Sequence, residues 1–196
     1  MVGFPSPFDR GESDERFDGY EEFVPDHLPE PGAFLADHRV LVGDEHLEFH
    51  EITRDLFEER RVYDVTFNYN LARLNLDNRH PDAGYRYAVD AAETATLRAE
   101  FTPTTPFCPQ ANTLTIASFR AWNDLSDYHE YDLVRVRSAP MHHQHEVIND
   151  ELAELEAHFL ETGSVSHQPT GDDGSRGMDR SMYADEPRLG ETDAPF

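Results

Sequence analysis

Phe101-Thr102-Pro103-Thr104-Thr105-Pro106-Phe107-Cys108-Pro109 is the stretch on which the fold turns, and it carries the only cysteine of the chain. Pro103 and Pro106 hold the loop before the thiol extended, because each ring fixes φ and restricts the residue ahead of it. Pro109 suits the first position of a helix, where its missing N–H costs nothing. The stretch therefore predicts a strand, a stiff loop and a helix opening at Pro109, with Cys108 as its N-cap. The positive end of the helix dipole at that point would favour a thiolate.

Upstream, Leu97, Ala99 and Phe101 alternate with Thr96, Arg98 and Glu100, the period of a half-buried strand. Tyr85, Tyr87 and Val89 alternate with Arg86 and Ala88 in the same way, and Asp90–Glu93 between the two runs predicts a hairpin turn. Before them, Phe49, Ile52, Leu56 and Phe57 fall on one face of a helix over 45–61. Residues 62–74 mix apolar and polar positions, and 75–84 read as a loop. Downstream, Ala111, Leu114, Ser118 and Trp122 share a helix face, although the β-branched run at Thr113–Ile116 makes a strand a competitor. A turn at Asn123–Asp127 and a strand at Tyr131–Val136 follow. Ile148, Leu152, Leu155 and Phe159, spaced 4-3-4, define a last helix that Gly163 closes. These elements predict an α+β domain over residues 45–163, with helices packed against one short mixed sheet. Residues 1–44 read as an irregular acidic arm that docks through aromatics such as Phe4, Phe8, Phe17, Tyr20 and Phe23. Residues 164–196 read as a disordered acidic tail, with too few apolar groups to offset their ordering entropy.

The net charge is −24, and all 16 basic residues are arginine. Such an excess of carboxylates repels itself in dilute buffer, whereas at about 1 M salt the Debye length falls to roughly 3 Å. The composition thus points to a salt-rich cytoplasm; an acidic protein with disordered tails is the other reading. Binding to nucleic acid or to an anionic membrane would need a basic face, which this chain lacks. No run of about 18 apolar residues is present, and the N-terminus lacks the pattern of a secretory signal. One cysteine cannot form an internal disulfide, which fits a cytoplasmic protein.

Two segments carry a family resemblance. Thr102–Ala111 resembles the Thr-Pro-Thr-x-Pro-x-Cys-x-x-Ala motif of the SufT/PaaD-like iron–sulfur cluster assembly factors, whose eukaryotic members target clusters to client proteins. His142–Glu156 is similar to the family segment His-x-x-x-Glu-x-(Val/Ile)-Asn-x-x-Leu-Ala, matched here by His142, Glu146, Ile148, Asn149, Leu152 and Ala153. The two motifs stand in register and cover about residues 94–160. The resemblance implies a small iron–sulfur-assembly-type α+β fold. It implies a transient iron–sulfur cluster as cofactor, with client apo-proteins and other assembly components as partners. The chain departs from the family in three places. Val62–Gly84 lacks the usual Asp-Pro-Glu signature, Pro140-Met141 replaces Gly-Thr, and Pro109 and Gln110 replace the residues that usually follow the cysteine.

The candidate site residues are accordingly Cys108, Thr102, Thr104 and His142, with Cys108 and His142 as metal ligands. A cluster needs about four protein ligands, so one cysteine per chain requires a homodimer, a partner chain or a small thiol. A buried, inert cysteine is the competing reading, and loop stiffness alone accounts for Thr102 and Thr104. His142, His143 and His145 beside Glu146 could instead hold a mononuclear metal. A cysteine hydrolase using His129 or His142 as base would need a signature that does not surround Cys108. A non-catalytic adaptor that binds through its acidic arm is the remaining alternative.

Overall fold

Alternation along the strands gives the sheet one apolar and one charged face, and both are covered. The computed structural model describes residues 16–19 and 25–166. Its main sheet has the order β1-β4-β5-β6, formed by β1 (Arg39–Val40), β4 (Gly84–Val89), β5 (Thr96–Thr102) and β6 (Leu133–Ser138). β4 and β5 form the expected antiparallel hairpin, and β6 runs parallel to β5. The turn is fixed by Asp90, whose carboxylate accepts the Ala92 and Glu93 N–H groups. A second, two-stranded sheet pairs β2 (Tyr63–Asp64) with β3 (Tyr69–Asn70), so the expected single sheet is joined by a small one. The domain is α+β, as its sequence indicates.

On the apolar face Tyr85, Tyr87, Leu97, Ala99, Phe101, Val134 and Val136 meet α1 (Asp44–Arg60) and α2 (Ala111–Asp124) in one core. Trp122 lies at its centre, with ring centroids 4.9 Å from Phe57 and 5.1 Å from Tyr85. α3 (His145–Thr162) packs beside β6 and buries Ile148, Leu152 and Leu155; Phe159 packs half-buried against the same core, and Gly163 closes the helix in the left-handed conformation. The stretch with strand character at Thr113–Ile116 is helical. Thr115 and Ser118 return their hydroxyls to the carbonyls of Ala111 and Leu114 within the helix.

The opposite face presents Arg86, Arg98, Glu100, Arg135 and Arg137, yet it is not a solvated face. Residues 28–36, expected as part of the irregular arm, lie over it and place Leu28 and Leu35 in the interior. The Phe34 ring sits beneath the guanidinium groups of Arg98 and Arg137, 4.7 and 5.4 Å away. Glu100 is 2% exposed and accepts the Gly32 N–H at 2.6 Å. A Cβ at residue 32 would lie 2.6 Å from that carboxylate, so any larger residue would have to displace the Glu100 side chain. Phe17 docks on Tyr69 as expected, edge to face at 5.3 Å. Phe4, Phe8, Tyr20, Phe23 and the tail beyond residue 166 lie outside the described residues.

Three asparagines finish the sheet edges. On the β4 side the Asn75 amide bonds both the N–H and the C=O of Tyr85. On the β6 side Asn123 does the same for Val134 and Asn149 for Ser138. Side-chain amides thus occupy backbone groups that would otherwise recruit another strand.

Candidate functional site

The strand-loop-helix stretch forms, but α2 opens at Ala111 with Gln110 as its N-cap, two residues later than expected. Cys108 is therefore not the cap. It sits in the turn before the helix, where its carbonyl accepts the Ala111 N–H at 3.2 Å and its own N–H reaches the Thr105 carbonyl. The side chain is half-buried. Burial pushes the thiol pKa up, and Asp64 adds to the rise. The Gln110 and Ala111 N–H groups aimed at the sulfur offset this only in part. The expectation of a dipole-stabilised thiolate is thus overturned: desolvation outweighs the helix end.

The second motif closes on the first. His142 is 2% exposed, and its Nε2–H donates to the Cys108 carbonyl at 3.1 Å while Nδ1 accepts the Gln144 N–H. That pattern fixes the neutral Nε2–H tautomer. His143 donates both its backbone N–H and its Nδ1–H to the Pro106 carbonyl, at 3.0 and 2.7 Å, and its ring lies 5.0 Å from that of Phe107. His145 turns its Nδ1 to the His142 carbonyl. His142 and His143 thus clamp the cysteine loop through its backbone, and His145 braces His142. Both ring nitrogens of His142 are committed this way, and among the described residues no group of three or more His, Cys, Asp or Glu side chains could hold a metal ion.

The other predicted residues divide from Cys108. Thr102 and Thr104 line a separate groove of about 600 Å³ together with Glu100, Pro103, His80 and Met141. Cys108 does not line that groove. Glu146 and Ala153 are exposed, whereas Ile148 and Leu152 serve the core and Asn149 the sheet edge.

Two of the departures from the family pattern fit each other. The β2–β3 hairpin, within the unmatched segment 62–84, turns at Asp64, whose carboxylate accepts the Thr66 and Phe67 N–H groups. The Gln110 side chain ties this hairpin to the cysteine loop: its Oε1 accepts the Val65 N–H at 3.2 Å and its Nε2–H donates to Thr66 Oγ1 at 2.6 Å. Sequence reasoning missed this contact because Gln110 carries no charge and no periodic signal.

Charge is also distributed unevenly. In a chain with 56 charged residues, Phe101–Phe119 has none, and 65–72 and 138–145 carry no Asp, Glu or Arg. These three segments are the ones that meet around Cys108. Phe107 and Val65 stand 72% and 76% exposed there. The acidic coat is interrupted by a neutral, partly apolar face.

The fold and the site together define a small α+β domain that displays one clamped cysteine on an uncharged surface. The chain belongs to the family described as Domain of unknown function (DUF7998), which matches residues 15–166. No curated protein matches it. Among the described residues no helix is long and apolar enough to cross a membrane.

Proposed function

We propose that this chain is an iron–sulfur cluster assembly or targeting factor that helps mature client apo-proteins in a salt-rich cytoplasm. One observation carries the reading. The two segments that resemble the SufT/PaaD-like motifs, 34 residues apart at Cys108 and His142, form a single unit joined by the His142 Nε2–Cys108 carbonyl bond. The neutral face around Cys108 supports a docking role. Buried interface centres are depleted of charge and enriched in aromatic groups such as Phe107. Burial raises the thiol pKa, which argues against a nucleophile that turns over; a ligand role would require the incoming metal or cluster to displace the proton on docking. A cluster would be cargo. With one cysteine per chain, the remaining ligands would come from a client, another assembly component, a second copy or a small thiol.

The test is protein purified without oxygen in molar salt, analysed for iron, acid-labile sulfide and zinc, with client capture scored beside it. Iron and sulfide in the wild type that vanish in Cys108→Ala support a carrier. Metal-free protein whose capture of apo-clients is lost in Phe107→Asp supports a targeting factor. Stoichiometric zinc without sulfide, unchanged in Cys108→Ala, contradicts both.

A further inference from the structure

A cavity of about 570 Å³ lies between the start of α1 and the segment Asp127–Tyr131. This volume falls in the range of small-molecule sites. Its interior is aromatic and aliphatic. Phe49, His129 and Tyr131 form a triangle with ring centroids 5.8, 6.0 and 6.1 Å apart, flanked by Leu41 and Ile52. Its rim is acidic, with Glu45, Glu48, Asp127 and Glu130.

Positive charge is scarce. Among the described residues Arg39 is the one cationic side chain in the lining, and it is already paired with Glu45 at 2.7 Å. His129 adds none: Nε2–H donates to the Trp122 carbonyl at 3.0 Å and Nδ1 accepts the Tyr131 N–H at 3.2 Å, which sets a neutral ring. Aromatic walls under a ring of carboxylates suit a cation with an apolar body. The ring quadrupoles attract the charge and the floor buries the alkyl groups. An anion would meet four carboxylates, and a hydrated metal ion would gain nothing from the aromatic floor.

We infer that this cavity is a binding site for a small organic cation of the quaternary-ammonium class. It shares no residue with the cysteine site, so it stands or falls independently of the proposed function. At molar salt the carboxylates are screened, and the aromatic floor then carries most of the selectivity.

Trp122, the only tryptophan, stacks on Phe49 at 6.4 Å and reports on the floor of the cavity. The experiment is titration with choline and with its neutral isostere 3,3-dimethylbutan-1-ol, read by tryptophan fluorescence and by calorimetry, at low and at molar KCl. Choline is expected to bind saturably and at least about tenfold more tightly than the alcohol, a ratio within reach of a desolvated cation–π contact. The exposed pair Glu48→Gln/Asp127→Asn, which leaves the core untouched, should weaken choline severalfold at low salt and little at molar salt. Tyr131→Leu should weaken it in both. Equal affinity for the alcohol, no saturable heat or fluorescence change with choline, or binding indifferent to both sets of variants would overturn the inference. Response to an arginine-rich peptide without response to choline would overturn it as well.

Discussion

Acidification should unfold this protein through two histidines buried on α1. His46 and His50 are 0% and 1% exposed, with their rings stacked at 5.6 Å. His50 is held as the neutral tautomer: Nε2–H donates to the Ala72 carbonyl and Nδ1 accepts the Tyr87 hydroxyl, both at 2.7 Å. Burial is the largest cause that lowers its pKa, from 6.5 to about 4; for His46 burial and the neighbouring His50 lower it to about 2. Because each native pKa lies below the unfolded one, the unfolded chain binds more protons under pH 6.5. Stability is therefore full above that pH and falls as the pH drops. At pH 5 a histidine that stays neutral only when folded costs about 2 kcal/mol, and this hardly depends on how far below 5 the native value lies. Two such residues cost about 4 kcal/mol, a large share of an ordinary domain's stability. Glu100, whose pKa burial raises, works in the opposite direction, so the histidine contribution is best isolated with a variant. His50→Gln keeps a donor for the Ala72 carbonyl and should lose about 1 kcal/mol at pH 7.5, but it should lose less on going to pH 5 than the wild type does. Urea unfolding at constant molar KCl, followed by Trp122 fluorescence from pH 7.5 to 5, measures both quantities. Stability that stays flat over that range, or an identical pH slope in His50→Gln, would refute the reasoning.

Three further outcomes follow from single contacts. Gly84 has φ +121°, and a Cβ there would collide with the Asn75 side chain; Gly84→Ala should cost roughly 2–4 kcal/mol in a thermal or urea melt, and a neutral result would mean that the Asn75 clamp is dispensable. Gln110→Ala frees the β2–β3 hairpin from the cysteine loop and should raise the rate at which Cys108 reacts with an aromatic disulfide severalfold at unchanged far-ultraviolet circular dichroism; an unchanged rate would show that the hairpin does not shield the thiol. Lowering KCl from about 2 M to 0.1 M lengthens the Debye length from a few Å to about 10 Å and should depress the melting temperature of this −24 chain, whereas a salt-independent melt would contradict the high-salt reading.

Where sequence reading succeeded, strong periodicity met a simple environment. The 4-3-4 spacing of Ile148, Leu152, Leu155 and Phe159 became a packed helix face, and the alternation through Tyr87 and Leu97 became a hairpin. On α1 the same method saw only half of the buried face. Counted with Phe49, Leu56 and Phe57, the residues His46, His50 and Thr53 complete a helical stripe, but their polar side chains hid it. Residues 28–36 were illegible for another reason. They cover a charged sheet face through Phe34 and a glycine backbone, and neither leaves a period. Asn75, Asn123 and Asn149 likewise act by pairing with distant backbone that only the tertiary fold brings near. At the site, the union of Cys108 with His142 could be anticipated only from the family resemblance. The thiol's protonation depended on burial and on Asp64, which no local pattern encodes.

The most direct test of the proposed role is made in cells that carry Cys108→Ser as their only copy of this chain. Activities of several cluster-dependent enzymes would be compared with those of enzymes that need no cluster, at equal protein abundance. Loss confined to the cluster enzymes, with their apo-proteins still present and restored by wild-type chain, is the expected result. Full activity of every cluster enzyme in the Cys108→Ser strain would contradict it.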